Sequence, residues 1–314
     1  MKKILITDKV HPLLNEALTS CGWEVDYHTE ISLDEVHSVI HKYDGIVINS
    51  KINMDKELID KGERLTFVAR LGSGMEIIDI PYARSRGIRV INSPEGNCNA
   101  VGEQAMGMLV MLATNLHKGH HEVSNFIWNR EGNRGFEIKG KTVGVIGVGN
   151  TGMAFASKLQ CWDVAILGYD KFKSGYGTIA GVVETDLGTL LKESDIISFH
   201  VPLTEVTIGM CDGSFLDQCK EGVVIINTSR GQVIKTKDLI ARLETGQVGG
   251  VCLDVFENEK VDTYTPQEKE MYARLFSFPN VVVSPHVAGW TQESLQRIAE
   301  LVLERINSDY TMEG

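Results

Sequence analysis

The chain has 314 residues, of which 43% are hydrophobic and 23% charged, and a formal net charge of −11. That length supports about two domains with a large buried core, and the composition is that of an ordinary globular protein. The negative balance argues against a nucleic-acid polyanion as partner. Six scattered cysteines (Cys21, Cys98, Cys161, Cys211, Cys219, Cys252) form no Cys-x-x-Cys pair and argue against a disulfide framework or a zinc site.

The first apolar run, Ile4-Leu5-Ile6, is followed at once by polar residues and reads as a strand, not a secretory signal. The most apolar stretch, residues 105–116, contains Thr114 and Asn115 and is too short to span a bilayer. A cytoplasmic protein without a membrane partner is therefore expected. Up to residue 96, strand patterns at 4–6, 23–27, 45–49, 65–70 and 88–91 alternate with helical patterns near 12–20, 33–41, 56–61 and 81–86. Such alternation predicts a parallel sheet with covering helices.

One long helix is then predicted from Ala100 to about Phe126, apolar enough to be buried between layers or against a partner. His117, His120 and His121 near its end read as a solvated helix terminus; Gly119 and the polar surroundings disfavour a metal site. Residues 128–135 are polar and contain glycine, as a connection does.

The centre of the chain is the next stretch. An apolar strand, residues 142–146, runs into Gly147-x-Gly149-x-x-Gly152, a helix is predicted from Asn150 to about Cys161, and a second strand ends at Asp170. Strand, glycines, helix, strand and terminal acid in that order form a dinucleotide-binding signature. Gly147 makes the tight turn, Gly149 admits the pyrophosphate, Gly152 lets helix and strand approach, and amides near Asn150 and Thr151 meet the phosphate charge. Asp170 suits the ribose hydroxyls and repels a ribose phosphate, so NAD is expected in preference to NADP.

Later strands are predicted at 196–200, 223–228, 250–255 and 281–284, and a last helix from Gln292 to about Ile306, with an apolar stripe through Leu295, Ile298, Ala299, Val302, Leu303 and Ile306. In open α/β sheets ligands bind beyond the carboxyl ends of the strands. Four of those ends carry polar groups: His200-Val201-Pro202, Asn227-Thr228-Ser229-Arg230, the run from Asp254 to Glu259, and Ser284-Pro285-His286. Arg230 offers a permanently charged planar fork suited to a carboxylate. His286 offers a proton carrier, and Glu259 a carboxylate to orient it.

With these motifs together, the chain resembles the D-isomer-specific 2-hydroxyacid dehydrogenase family over almost its whole length. Gly72-Ser73-Gly74 with Ile78-Asp79, and Pro285 to Gly289, complete the match. The resemblance implies two Rossmann-like α/β domains with parallel doubly wound sheets and an active site in the cleft between them. The first would be discontinuous, residues 1–97 and 288–314, because the final helix returns to it; residues 98–287 would bind NAD. It implies Arg230, Glu259 and His286 as the catalytic set, with Ser73 and Gly74 holding the substrate carboxylate. It also implies that His200, Val201, Pro202, Thr207, Thr228 and Asp254 line the cofactor site, and that the protein is a homodimer.

The chain departs from the family pattern at Lys260, where proline usually follows the catalytic glutamate, and at Asn49, which replaces an expected arginine. The segment from 70 to 107 is most similar to the short phosphoglycerate dehydrogenases, and Lys51 is a second cationic position for a substrate phosphate. The expected substrate is accordingly 3-phospho-D-glycerate, with glyoxylate, hydroxypyruvate or D-lactate chemistry as the alternative. An NAD-sensing interaction protein without catalysis is the reading from another class.

Overall fold

The computed structural model describes residues 1–177 and 180–308, which fall into two compact units. The chain crosses from the first unit to the second between Cys98 and Asn99 and returns at Trp290. These crossings lie slightly later than the 97/98 and 287/288 boundaries expected from sequence.

The first unit contains β1 (Lys3–Ile6), α1 (Pro12–Ser20), β2 (Glu24–Tyr27), α2 (Leu33–Val39), β3 (Gly45–Ile48), α3 (Lys56–Lys61), β4 (Phe67–Arg70), α4 (Ile80–Ser85) and β5 (Arg89–Ile91). The sheet is parallel throughout, in the order β2-β1-β3-β4-β5. Residues of β3 are buried on both faces, as helices on either side of a parallel sheet require.

Where one helix was expected between residues 100 and 126 there are two, α5 (Pro94–Ala113) and α6 (Leu116–Ser124). The break has a local cause. The Thr114 hydroxyl folds back onto the Val110 carbonyl at 2.7 Å, Asn115 takes a left-handed φ of 52°, and its side-chain amide donates to the Arg134 carbonyl at 3.1 Å.

The second unit continues with β6 (Thr142–Ile146), α7 (Asn150–Leu159), β7 (Ala165–Tyr169), β8 (Val182–Glu184), α8 (Leu187–Glu193), β9 (Ile196–Phe199), α9 (Gly213–Leu216) and β10 (Val223–Asn227). It ends with α10 (Thr236–Thr245), β11 (Val248–Leu253), α11 (Pro266–Phe276) and β12 (Val281–Val283). Its seven strands, all parallel, are ordered β12-β11-β10-β9-β6-β7-β8. The order reverses direction at β6 and β9, so this fold opens a crevice beyond their carboxyl ends.

The final helix, α12 (Gln292–Asn307), belongs to the first unit. Its stripe of Ile298, Ala299, Val302 and Ile306 is buried with Ile4, Ile6, Leu14, Leu18 and Phe67. A Thr291–Ser294 capping box opens this helix. Among the described residues no helix is long and apolar enough to cross a membrane.

Candidate active site

At the reversal between β6 and β9, Gly147 holds a φ of +89°, and a Cβ there would lie 2.3 Å from the His200 carbonyl oxygen. Gly152, in the first turn of α7, would place a Cβ 2.0 Å from the Gly147 carbonyl oxygen. Side chains at either position would force strand, turn and helix apart. Gly149 has nothing within 4 Å of a notional Cβ, and it caps α7 without any side-chain hydrogen bond. The amides at the start of that helix are therefore left for a ligand.

The crevice is a cavity of about 810 Å³ whose walls include Gly147, Gly149, Asp170, His200, Val201, Pro202 and Thr207. That volume is in the ordinary range for a small-molecule or cofactor site. The Asp170 carboxylate accepts from the backbone amides of Val148 (2.9 Å), Phe172 (2.9 Å) and Lys173 (3.1 Å), which ties the glycine turn to the end of β7. The Thr207 hydroxyl is engaged within its own loop, donating to the Pro202 carbonyl at 2.6 Å.

Among the buried polar atoms without a protein partner are Nδ1 of His200, in the wall of this crevice, and Oγ1 of Thr228, just beyond the end of β10. The His200 ring lies 5.3 Å from that of Phe155, and its Nε2 is 2.8 Å from the Ser198 hydroxyl. Burial pushes the pKa of this histidine down to about 3, so it is neutral and its Nδ1 is a polar atom waiting for a partner. Open glycine cradle, uncapped helix start and orphaned polar atoms together fit a dinucleotide.

The next group stands beyond the ends of β10, β11 and β12. His286 Nδ1 lies 2.7 Å from Glu259 Oε2, and the other carboxylate oxygen accepts from the Phe256 amide at 3.3 Å. Burial pushes the Glu259 pKa up, but the hydrogen bond and charge of His286, with further help from the Phe256 amide and the Arg230 guanidinium, bring the net value below the usual carboxylate range. Arg230 is half-buried, and its guanidinium donates to the Ser229 carbonyl at 2.7 Å. Gly231 keeps the Arg230 turn close to the glutamate loop, since a Cβ there would sit 1.9 Å from the Phe256 carbonyl.

The structure thus brings Arg230, Glu259 and His286 together within the second unit. They are not among the walls of the large cavity, nor are Asn150, Thr151, Gly152, Thr228 and Asp254. Asp254 is fully buried, and its carboxylate accepts from the Ser284 hydroxyl (2.5 Å) and the amides of Val287 (3.0 Å) and Ala288 (2.7 Å). It thereby clamps the loop in which His286 adopts a left-handed φ of 52°. Buried Asn227 does the same for Arg230, accepting from the Ser229 amide (3.0 Å) and hydroxyl (2.7 Å) while donating to the Arg230 carbonyl (2.9 Å). Sequence reasoning did not single out this bracing by Asn227, although an asparagine ending an apolar strand two residues before a serine is a recognisable turn signal. Lys51, Ser73 and Gly74 belong to the first unit; the Lys51 ammonium donates to the Thr29 carbonyl at 2.5 Å, Ser73 is exposed and Gly74 buried.

The chain is similar to several known proteins. Residues 106–288 match the model of the family described as D-isomer specific 2-hydroxyacid dehydrogenase, NAD binding domain. A hydroxypyruvate reductase from Thermotoga maritima is 35% identical over 273 residues, covering 87% of each chain. A D-3-phosphoglycerate dehydrogenase from Archaeoglobus fulgidus is 32% identical over 305 residues, 97% of this chain and 56% of that one. The chain spans about half the length of the curated phosphoglycerate dehydrogenases it matches. Among solved structures, a D-lactate dehydrogenase from Aquifex aeolicus complexed with NAD and lactic acid superposes with a TM-score of 0.84 at 27% identity, covering 97% of this chain and 94% of that one. A glyoxylate reductase from Paecilomyes thermophila shares the fold at a TM-score of 0.88 and 23% identity, covering 99% and 97%.

The chain belongs to the D-isomer specific 2-hydroxyacid dehydrogenase family. Its second unit is the NAD-binding domain of that family.

Proposed function

We propose that the protein is an NAD-dependent oxidoreductase that interconverts a D-2-hydroxy acid and the corresponding 2-keto acid. The observation that carries this reading is the 2.7 Å contact between Glu259 and His286, with Arg230 close enough for its charge to act on the same carboxylate. Arg230 binds the substrate carboxylate through its fork of donors. With Nδ1 committed to Glu259, the Nε2 atom of His286 is free to take the hydroxyl proton during oxidation and to return it during reduction. Glu259 stabilises the imidazolium so formed. NAD, when bound, supplies the hydride acceptor, and its reduced form the donor. Gly147, Gly149, the amides at the start of α7, Asp170, His200 and Thr228 would hold it.

For the substrate we propose 3-phospho-D-glycerate, the reading supported by the phosphoglycerate dehydrogenases among the relatives and by the positive charge of Lys51. A second reading, a small acid without phosphate, is favoured by a specific observation. Lys51 is engaged by the Thr29 carbonyl, and the Asp8 carboxylate stands on the Asn49 amide at 3.0 Å, putting negative charge beside the segment a phosphate would use. The Thermotoga relative supports the same reading.

NADH oxidation measured side by side with 3-phosphohydroxypyruvate, hydroxypyruvate, glyoxylate and pyruvate, at several salt concentrations, separates the two. A preference for the phosphorylated acid that erodes with salt supports the first; equal or better turnover of the others supports the second. In the same assay His286→Ala should lower turnover by about a hundred- to ten-thousand-fold while NADH still binds. Tight NADH binding by the unaltered protein with no turnover of any acid would replace the enzyme with a nucleotide sensor.

The assembly proposed is a homodimer. Phe126 (98% exposed) and Trp128 (81%) follow α6, which begins with exposed Leu116 and carries exposed Val123 near its end, and clustered apolar side chains left bare mark an interaction surface. Sedimentation of the unaltered protein against Phe126→Asp/Trp128→Asp tests it, a dimer in both arms or in neither counting against this surface.

A further inference from the structure

The segment carrying Glu259 lacks the proline that would stiffen it, yet it is held from an unexpected side. The Asn258 amide donates to the Tyr272 hydroxyl at 3.1 Å, and the Asn258 carbonyl accepts from the Tyr264 hydroxyl at 2.9 Å. The peptide groups on either side of Asn258 are therefore each fixed by a phenol. The two rings stack with centroids 4.9 Å apart. Tyr272, only 2% exposed, also meets Phe256 edge-on at 5.8 Å and Phe276 face-on at 5.9 Å.

The Asn258 side chain completes the brace. Its amide donates to the Thr263 hydroxyl (3.2 Å) and Glu268 carboxylate (3.1 Å), and its oxygen accepts from the Lys260 amide (3.0 Å). Helix α11 anchors the assembly, opened by a capping box between Thr265 and Glu268 with Pro266 in its first turn.

We infer that Tyr264 and Tyr272 are positioning residues for Glu259: their hydroxyls fix the backbone just before it and so set its reach to His286. This rests on the reading of Glu259 and His286 as the proton-transferring pair. Both hydroxyls act on the Asn258 backbone and not on the carboxylate itself, so their effect on chemistry is read through Glu259.

The test compares Tyr264→Phe, Tyr272→Phe and the double variant with the unaltered enzyme, each also in a Glu259→Gln background. The readouts are kcat and KM for keto-acid reduction across pH, NADH binding and thermal unfolding. In the native background the double variant should lose about threefold to tenfold in kcat, with NADH affinity unchanged and the kcat–pH profile displaced toward that of Glu259→Gln. In the Glu259→Gln background the same substitutions should change kcat no further. Equal losses in both backgrounds would assign the tyrosines a general structural role and overturn the proposal, as would unchanged kcat and pH profile in folded variants. If the double variant fails to fold, the change at the less buried tyrosine, Tyr264→Phe, decides by the same comparison. A fully active Glu259→Gln would instead remove the proton-transfer reading itself, and the proposal with it.

Discussion

The two units share a parallel, doubly wound plan and treat it oppositely. Each sheet reverses direction once, at β1 and β3 in the first and at β6 and β9 in the second, and each reversal offers a crevice beyond the strand ends. In the second unit the strand runs into glycines, and the crevice opens to about 810 Å³. In the first, Asp8 follows the strand, and its carboxylate accepts from the Thr7 hydroxyl (2.7 Å) and from the Asn49 amide (3.0 Å) across the gap. The cavity beside it is only about 20 Å³ and has Asn49 and Leu71 among its walls. A fold provides a place for a ligand; the residue after the strand decides whether the place is filled from within.

The comparison can be broken most directly by closing the open crevice. Gly152→Val adds atoms where even a Cβ would lie 2.0 Å from the Gly147 carbonyl oxygen, and it should weaken NADH binding by about a hundredfold or more. Fluorescence titration measures this, and unchanged affinity would mean that the glycine approach is not what holds the dinucleotide.

A second effect comes from the wall of that crevice. The pKa of His200 is lowered from 6.5 to about 3, so below 6.5 the unfolded chain takes a proton that the folded protein refuses. Stability therefore rises with pH through this window and is lost as pH falls. From about pH 6 to about pH 4 this group alone should remove about 2 to 3 kcal/mol. His200→Asn should flatten the acid limb of a stability–pH series by that amount, and an unaltered slope would place the titration elsewhere.

Smaller changes sharpen the contrast. Asp170→Ala removes the charge that disfavours a ribose phosphate and should shift the NAD-to-NADP ratio of kcat/KM by about tenfold toward NADP; a constant ratio would mean that another group reads the ribose. Asp8→Ala leaves the Asn49 amide without its acceptor and should cost about 1 to 2 kcal/mol in urea unfolding. NADH affinity should not move, because the residue belongs to the other unit.

The legible parts of the sequence were those with a short period or a fixed spacing. The buried strands, the glycine turn and the stripe of α12 follow from local patterns that burial enforces. The division into α5 and α6 was hidden because the break depends on one asparagine in a left-handed conformation, which leaves no periodic signal. Helix α11 was hidden in a polar stretch, although Thr265-Pro266 followed by Glu268 carries the start signal. Likewise Asp254 gives no local sign that its partners are Ser284, Val287 and Ala288, about thirty residues further on, since such pairings are set by neighbouring strand ends.

The left-handed backbone of His286 sets two demands that few residues meet together. An imidazole is wanted for proton transfer, whereas the backbone is shaped for glycine, and the mismatch costs about 1 kcal/mol. His286→Gly should therefore raise the melting temperature of an enzyme it inactivates. Such a gain would identify this loop as a point where thermal robustness has been given up for turnover, and the last position at which a search for hardier variants should be allowed to choose freely.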